Sequence, residues 1–305
     1  MPLNLPAPLA VLDLDMSDGA RIRVRRHGNP HGPRLVLSHG NGFAIDAYFP
    51  FWSRFLADCD VIVYDQRNHG WNPRHTFAQH TEIQMAQDME TIRLAIESAF
   101  GPRRTAGLFH SLSTIVSLLH FARYGHRWDR LILFDPPITP PAGHRLHDPA
   151  RNFEIALARW SLHRKSTFDE PDELARYFKS TRRTSTWVAG AAELMARSIT
   201  RPADGGGYEL ICPGAYESTI YEQNWQAPVW SFLPRAKERL FIVGSDPTVK
   251  DADPPAHVCA AAAQELGIKV TPIPRSGHLL EIEQPAAVAR IVRADLRAHG
   301  FEIDT

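Results

Sequence analysis

A serine at the start of a predicted helix is the first residue whose surroundings suggest chemistry. Ser111 lies in GLFHSLST, residues 107–114, between an apolar stretch and a helix-compatible run. A tight strand-to-helix turn exposes a serine hydroxyl and directs helix N–H groups toward it. The usual G-x-S-x-G pattern has small residues where this sequence has Phe109 and Ser113. The segment alone therefore leaves a nucleophile and a helix N-cap as open interpretations of Ser111. Ser113 is the weaker nucleophile candidate, because Ile115 would occupy its close-packed downstream position.

A glycine-rich turn could supply the hydrogen-bond donors that a serine nucleophile needs. The segment SHGNGF, residues 38–43, directly follows the apolar run RLVL. The oxyanion of a tetrahedral intermediate is stabilised by two N–H groups aimed at it. We expect these to be the backbone N–H groups of Asn41 and Leu112, with Gly42 as a register-shifted substitute.

A histidine near the end of the chain is the candidate general base. His278 lies in RSGHLLEIEQP, after the last predicted strand and before the last predicted helix. Such a histidine needs a carboxylate to fix its tautomer and stabilise its charged form. Asp246 in FIVGSDP and Asp135 in LILFDPP each follow a predicted strand. We favour Asp246, because its strand precedes the one that delivers His278, and we keep Asp135 as the alternative acid.

The elements that must position these residues alternate along the chain. Short runs rich in Val, Ile and Leu predict strands at 21–25, 34–38, 60–64, 105–109, 130–134, 239–243 and 269–273. Amphipathic segments predict helices at 81–100, 112–124, 255–266 and 284–299. This alternation predicts an α/β fold, a mostly parallel central sheet flanked by helices. Reactive groups of such sheets gather at the carboxyl ends of the strands.

The alternation is interrupted by a long insert, residues 137–234, which we predict to be a helical cap. Residues 1–136 and 235–305 then form the core domain. Four of the chain's 7 tryptophans and several other aromatic residues fall in the insert, and such side chains could line an apolar pocket. The candidate pocket residues are Phe43, His110, Trp160 and Trp187.

With these pieces placed, the sequence resembles the α/β-hydrolase fold superfamily. It is most similar to the esterase- and lipase-like serine-hydrolase branch, which has a helical cap after the sixth strand. The resemblance rests on SHGNGF, YDQRNHG, FHSLS, GSDP and SGHLLEIEQP, in that order along nearly the whole chain. It implies Ser111 as nucleophile, His278 as base and Asp246 as acid. A serine at this position excludes the epoxide hydrolases and dehalogenases of the fold, which use an aspartate.

The resemblance implies hydrolysis of a carboxylic ester or related acyl bond through an acyl-enzyme. Two alternatives stay open: a carbon–carbon bond hydrolase of the same fold, and a noncatalytic receptor for a small ligand. The altered residues around Ser111 are the one feature in favour of the receptor, and the hydrolase stays the leading hypothesis. We expect a small apolar, ester-like substrate.

Composition narrows the partners and the compartment. Lys plus Arg equals Asp plus Glu at 34 each, so no overall field attracts nucleic acid. The 3 widely spaced cysteines and the absence of a recognisable secretion signal or membrane span favour a cytoplasmic location. The 15 histidines form no metal-binding motif, so we expect neither a metal nor another cofactor. The sequence does not indicate an oligomeric state.

Overall fold

The computed structural model describes residues 3–304; Met1, Pro2 and Thr305, the ends of the predicted core domain, lie outside this range. Within it, the central sheet has eight strands in the order β1-β2-β4-β3-β5-β6-β10-β11. The six strands from β4 to β11 in that order are parallel, and β1 and β2 are antiparallel additions at one edge. The predicted fold class, a mostly parallel sheet flanked by helices, is confirmed. The strands are β1 (Ala10–Asp15), β2 (Arg21–Gly28), β3 (Arg34–Ser38), β4 (Asp60–Tyr64), β5 (Thr105–His110), β6 (Arg130–Phe134), β7 (Thr167–Phe168), β8 (Thr200–Pro202), β9 (Tyr208–Leu210), β10 (Leu240–Gly244) and β11 (Val270–Pro272).

The central strands are buried on both faces of the sheet. Every residue of β3, β4, β6 and β10 is buried. Because successive side chains of a strand point to opposite faces, alternate residues join different hydrophobic clusters. Leu35 and Leu37 pack in one cluster, and Val36 packs in the other. The short Val, Ile and Leu runs of the sequence therefore form strands that helices cover on both sides.

The helices cover the sheet and end in the places the sequence marks. The long α2 begins after Thr81, whose side chain accepts a hydrogen bond from the Gln84 N–H and so caps the helix. The predicted core helices lie within one or two residues of their observed bounds. The α-helices are α1 (Phe49–Trp52), α2 (Glu82–Phe100), α3 (Leu112–Tyr124), α4 (His147–His163), α5 (Pro171–Ser180), α6 (Ala191–Ile199), α7 (Gly214–Asn224), α8 (Leu233–Ala236), α9 (Pro254–Leu266), α10 (Leu280–Glu283) and α11 (Pro285–Ala298). Short 3₁₀ helices occupy Ile45–Tyr48, Ser53–Phe55, Phe77–Gln79 and Val229–Phe232.

The sequence predicted a helical insert, but the chain between β6 and β10 also contains strands. It holds α4 to α8, and β7, β9 and β8 pair there as a small antiparallel sheet. Strands of two or three residues are too short for hydrophobic periodicity to detect. Helix α4 packs along α7, and α7 also contacts the core helices α2 and α3. No helix within residues 3–304 is long and apolar enough to span a membrane.

Candidate active site

Ser111 occupies the sharp turn between β5 and α3. Its φ of 50° and ψ of −116° lie in a region that residues other than glycine rarely adopt. The backbone N–H of Ser111 donates to the Phe134 carbonyl oxygen at 3.2 Å, which ties the turn to the end of β6. The strained backbone lifts the hydroxyl beyond the sheet while the first turn of α3 lies directly below it.

The bulky Phe109 fits beside this turn because the position two residues before it is glycine. The Phe109 ring is fully buried and packs edge-on against Trp128, with ring centroids 5.5 Å apart. A Cβ on Gly107 would lie 2.5 Å from the Phe109 ring. Side chains at 107 and 109 share one face of β5, so the space absent at one position is supplied at the other.

Ser113 has a structural place in the same turn. Its hydroxyl oxygen is fully buried and accepts a hydrogen bond from the His110 N–H at 2.9 Å. The hydroxyl also lies within hydrogen-bond distance of the His110 and Ser38 carbonyl oxygens, at 2.8 and 3.2 Å. Ser113 thus joins the turn to the end of β3, and its hydroxyl faces away from solvent.

His278 lies between Ser111 and a carboxylate. The Ser111 hydroxyl donates to His278 Nε2 across 3.0 Å. The opposite ring nitrogen, Nδ1–H, donates to Asp135 Oδ2 at 2.7 Å. Asp135 is fully buried, and its other carboxylate oxygen accepts the N–H and the hydroxyl of Ser245, both at 2.8 Å. These contacts fix the carboxylate and, through it, the orientation and tautomer of the imidazole.

Asp246, the acid we had favoured, does not contact His278. Its carboxylate accepts the N–H and hydroxyl of Thr248 at 2.9 and 2.7 Å and the N–H of Arg275 at 2.7 Å. The reason is strand order: β6 lies beside β5, which leads into Ser111, whereas β10 is one strand farther away. Neighbouring strands are about 4.8 Å apart, so the end of β6 reaches the site and the end of β10 does not. The alternative acid, Asp135, is the one the structure brings to the histidine.

The pKa of His278 is set by two opposing influences. Burial lowers it, but the hydrogen bond and negative charge of Asp135 outweigh burial and raise the pKa above its usual value of 6.5. Asp253 and Glu154 add smaller contributions in the same direction. The imidazole is therefore a stronger base than a free histidine.

The glycine-rich turn lies directly against Ser111. A Cβ on Gly40 would be 3.0 Å from Ser111 Cβ, closer than most Cβ contacts, so a larger residue at position 40 would require Ser111 to shift. Asn41 and Leu112 are buried, and within residues 3–304 their backbone N–H groups donate to no protein acceptor. The Gly42 N–H instead donates to His69 Nε2 at 3.1 Å and is thus occupied. Of the predicted donors, Asn41 and Leu112 retain free N–H groups.

The peptide that carries the Asn41 N–H is held from its opposite side. The Gly40 carbonyl oxygen of that peptide accepts His39 Nδ1–H at 2.8 Å and the Phe43 N–H at 3.2 Å. In a trans peptide the C=O and N–H bonds point in opposite directions. The two donors on the carbonyl therefore fix the direction of the Asn41 N–H. Burial also lowers the pKa of His39 to about 4, so its ring stays neutral.

Comparison with known proteins identifies the family and the fold of the chain. The sequence model of a family described as the alpha/beta hydrolase family matches residues 35–291. The chain belongs to that family. No curated protein sequence gives a significant match.

Solved structures of hydrolases resemble more than nine-tenths of the chain at low sequence identity. E-2-(acetamidomethylene)succinate hydrolase has a TM-score of 0.76 at 17% identity, covering 94% of this chain and 99% of that one. A carboxylesterase of the thaumarchaeon Nitrososphaera gargenis has a TM-score of 0.71 at 15% identity, covering 94% and 98%. The thioesterase domain from the curacin biosynthetic pathway has a TM-score of 0.69 at 15% identity, covering 93% and 98%. At these identities the likeness concerns the fold alone.

The predicted pocket residues of this alpha/beta hydrolase have different surroundings. Trp160 is 42% exposed and stacks on Arg164, so it does not line a buried cavity. Trp187 is buried against Phe178 within the insert, and Phe43 is half-buried against the core. His110 is buried with both ring nitrogens in hydrogen-bond contact with neighbouring groups.

Polar side chains of the insert, which the sequence analysis did not single out, contact the glycine-rich turn. A Cβ on Gly42 would lie 2.7 Å from the Glu217 carboxyl carbon, and Asn41 Nδ2 donates to the Glu217 carbonyl at 2.8 Å. Arg164 pairs with the Glu217 carboxylate at 2.8 Å, and the side chains of this pair are 7% and 3% exposed. Charged residues on amphipathic helices are usually solvated, so no sequence signal marks this buried pair.

A buried carboxyl group of α4 lies in the electrostatic neighbourhood of His278. Glu154 Oε2 accepts a hydrogen bond from Asn224 Nδ2 at 2.9 Å. Burial raises the pKa of Glu154 to about 7, although the Asn224 hydrogen bond and the His278 charge favour its ionised form. In residues 3–304, no group of three or more His, Cys, Asp or Glu side chains has the arrangement of a metal site.

Proposed function

We propose that this protein is a serine hydrolase that cleaves a carboxylic ester, or a related acyl bond such as a lactone or thioester, through an acyl-enzyme. The supporting observation is the continuous contact from Ser111 to His278 to Asp135, with distances of 3.0 and 2.7 Å. Nucleophile, base and orienting acid are each within hydrogen-bond reach of the next, as covalent acyl transfer requires.

The geometry supports a two-stage reaction. His278 Nε2 takes the proton from Ser111 as Oγ attacks the substrate carbonyl, and Asp135 stabilises the resulting imidazolium. His278 then gives that proton to the leaving alcohol or thiol as the carbon–leaving-group bond breaks. A water molecule, deprotonated by His278, then attacks the acyl-enzyme, and His278 returns that proton to Ser111 Oγ as the acyl–Oγ bond breaks and the acid leaves.

The oxyanion of each tetrahedral intermediate would accept the N–H groups of Asn41 and Leu112. The direction of the Asn41 N–H is fixed by the hydrogen bonds that the Gly40 carbonyl of the same peptide accepts. Leu112 begins α3, where the helix dipole favours negative charge. Both donors are buried, so they act in a medium of low dielectric constant without solvent competition. Gly42 has no place in this assignment because its N–H is bound to His69.

We further propose that the insert, residues 137–234, is a cap that selects the substrate. The buried Arg164–Glu217 pair beside Gly42 favours a small substrate with a polar or charged group near its reacting carbonyl. The aromatic content of the insert instead predicts a small apolar, ester-like substrate. The esterase, thioesterase and acetamido-compound hydrolase among the similar structures justify testing oxygen, sulfur and nitrogen leaving groups.

The nucleophile can be tested with Ser111→Ala on a panel of p-nitrophenyl esters, acyl thioesters and N-acyl compounds. We expect turnover of any accepted substrate to fall by roughly three or more powers of ten. Ser117→Ala is the matched control, because Ser117 is a buried serine of the same helix whose hydroxyl donates to the Thr114 carbonyl at 2.7 Å. Activity of Ser111→Ala equal to that of the unmodified protein would remove Ser111 from the mechanism.

Two further probes separate the alternatives. Stoichiometric labelling by a fluorophosphonate at Ser111 supports an enzyme, while ligand binding without labelling supports a receptor. Cleavage of a vinylogous diketone with no activity on any acyl compound of the panel would assign carbon–carbon bond hydrolysis instead.

A further inference from the structure

A buried hydrogen-bonded chain joins the three loops of the proposed active site. It runs from Gly40 in the glycine-rich turn to Tyr48, then to His110 beside the nucleophile, and ends at the backbone of His278. The Gly40 N–H donates to the Tyr48 hydroxyl oxygen at 3.2 Å, and that hydroxyl lies 2.7 Å from His110 Nδ1. His110 Nε2 lies 2.9 Å from the His278 carbonyl oxygen.

Chemistry fixes the direction of every hydrogen bond in this chain. A carbonyl oxygen can only accept, so His110 Nε2 carries a proton and donates to the His278 carbonyl. The neutral ring then has an unprotonated Nδ1, which accepts the Tyr48 hydroxyl proton. Tyr48 is left with oxygen lone pairs, one of which accepts the Gly40 N–H. Each member uses the group that its neighbour requires.

The surroundings keep His110 in this neutral form. Burial, with the nearby His278, lowers the pKa of His110 well below its usual value. Glu281 Oε2 lies 3.9 Å from His110 Nε2, and burial raises the pKa of Glu281 well above its usual value. A carboxyl group with a raised pKa is a poorer anionic partner for the ring, so it favours protonation of His110 less than an ordinary carboxylate would.

This chain of hydrogen bonds reaches each of the three segments that supply the oxyanion donor, the nucleophile and the base. Gly40 precedes Asn41, whose N–H is a proposed oxyanion donor; His110 precedes the nucleophile; and the third segment carries the proposed base. A Cβ on Gly40 would lie 3.0 Å from His110 Nδ1, so the glycine-rich turn and the strand-to-helix turn are already in contact where Tyr48 bridges them. Tyr48 itself is 2% exposed, and it lies outside all three segments.

We propose that Tyr48 and His110 are positioning residues that hold the oxyanion donor, the nucleophile and the base in mutual register. The proposal rests on the proposed function and adds to it a pair of residues that neither attack nor exchange protons with substrate. Misplacement of about 1 Å between reacting groups can reduce a rate by about a hundredfold. Because the pair acts through loop geometry, its loss should reduce turnover more than substrate affinity.

The test is Tyr48→Phe, which keeps the ring and removes only the hydroxyl. His110→Gln is the second variant: its side-chain amide can still donate toward the His278 carbonyl but offers no Nδ1 to Tyr48. Tyr216→Phe is the matched control, because the Tyr216 hydroxyl also donates a hydrogen bond, in its case to the His75 carbonyl at 3.0 Å, but joins no active-site segments. Near-ultraviolet circular dichroism and thermal unfolding establish that each variant is folded.

The measured quantity is the rate constant for labelling of Ser111 by an alkyl fluorophosphonate, in which Ser111 Oγ bonds to phosphorus and fluoride leaves. We expect Tyr48→Phe and His110→Gln each to label about ten- to a hundredfold more slowly, and Tyr216→Phe within about twofold of the unmodified protein. Since both substitutions break the same hydrogen bond, between the Tyr48 hydroxyl and His110 Nδ1, the double variant should label about as slowly as either single variant. For the best p-nitrophenyl ester, kcat should fall while KM stays within about threefold.

Two results would overturn the proposal alone: unchanged labelling of folded Tyr48→Phe, or losses that multiply in the double variant. Failure of the unmodified protein to label would instead overturn the proposed function, and the positioning role with it. The two failures are therefore distinguishable in one set of measurements.

Discussion

Two aspartates at the carboxyl ends of neighbouring strands have different tasks. Asp135 directly follows β6 and contacts the His278 ring, while Asp246 follows β10 and contacts Thr248 and the turn that leads to His278, but not the His278 ring. Both accept hydrogen bonds from a serine or threonine hydroxyl and from a backbone N–H. Their sequence surroundings, FDPP and SDPT, are also alike. Position in the sheet, rather than chemical type, separates them.

The difference shows how one sheet edge can orient a base at two levels. Asp135 determines the direction and protonation of the imidazole ring. Asp246 accepts the N–H of Arg275, which has a φ of 59°, and so fixes the backbone three residues before His278. One carboxylate acts on the side chain, and the other acts on the loop that carries it. Substitutions of the two residues should therefore affect activity in different ways.

Asp135→Asn should have the larger effect. The amide cannot stabilise the imidazolium, and its NH₂ group can face Nδ1 only if the ring adopts the wrong tautomer. We expect kcat on the best ester of the panel to fall by roughly 10³- to 10⁴-fold. Steady-state kinetics of the folded variant check this. A loss of less than tenfold would mean that Asp135 is not the acid of the site.

Asp246→Asn is the matched substitution and should have a smaller effect. The amide oxygen still accepts one or two of the backbone and hydroxyl donors, but the charge that strengthens these bonds is lost. We expect kcat to fall by about tenfold or less, the equivalent of one ordinary hydrogen bond. A loss as large as that of Asp135→Asn would return Asp246 to the position of catalytic acid.

The smallest expected effects are shifts in the pH dependence of kcat/KM, and these also distinguish the aspartates. His278 must be neutral to act as a base, so activity falls when acidification protonates it. Because its pKa is raised above 6.5, this fall, the acid limb of the profile, lies above pH 6.5. Asp253, paired with Arg183 at 2.8 Å, also raises that pKa, so Asp253→Asn should move the acid limb slightly to lower pH. Asp246→Asn should leave the limb in place. The residual activity of Asp135→Asn should have its acid limb at the lowest pH of the three variants, because burial then lowers the pKa of His278 without the opposing effect of Asp135. Profiles between pH 5 and 9 measure all three, and a limb that moves with Asp246→Asn would contradict the division of tasks.

Hydrophobic periodicity predicted the central part of the fold well. Strands β3, β4 and β6 have the predicted bounds, because a strand buried on both faces is an uninterrupted apolar run. Strand β1 was missed, although AVLDLD alternates between half-buried and exposed side chains. Its two aspartates and its proline-rich flank gave a weaker signal than the uninterrupted apolar runs of the core strands. Edge strands depend on pairing with a neighbour, in this case the Asp13–Arg23 and Asp15–Arg21 contacts to β2.

The site was predictable in its residue types but not in its pairings. Chain order pointed to Ser111 and His278, and the structure places them in contact. The choice between two acids depended on strand order in space, which no local pattern contains. Tyr48 carried no signal, since a tyrosine beside two phenylalanines in AYFPF resembles ordinary core sequence. The Arg164–Glu217 pair was equally hidden, because burial of charge depends on how helices of the insert meet the core.

The Gly107–Phe109 pair changes how the strand-to-helix turn should be recognised in other sequences. A pattern that demands a small residue at the second of these positions tests a single site, whereas the strand offers one fixed volume to both. Gly–x–Phe satisfies that volume here, with Trp128 closing the far side. A search that scores the summed size of the two residues would accept this chain, and one that scores each position separately would discard it.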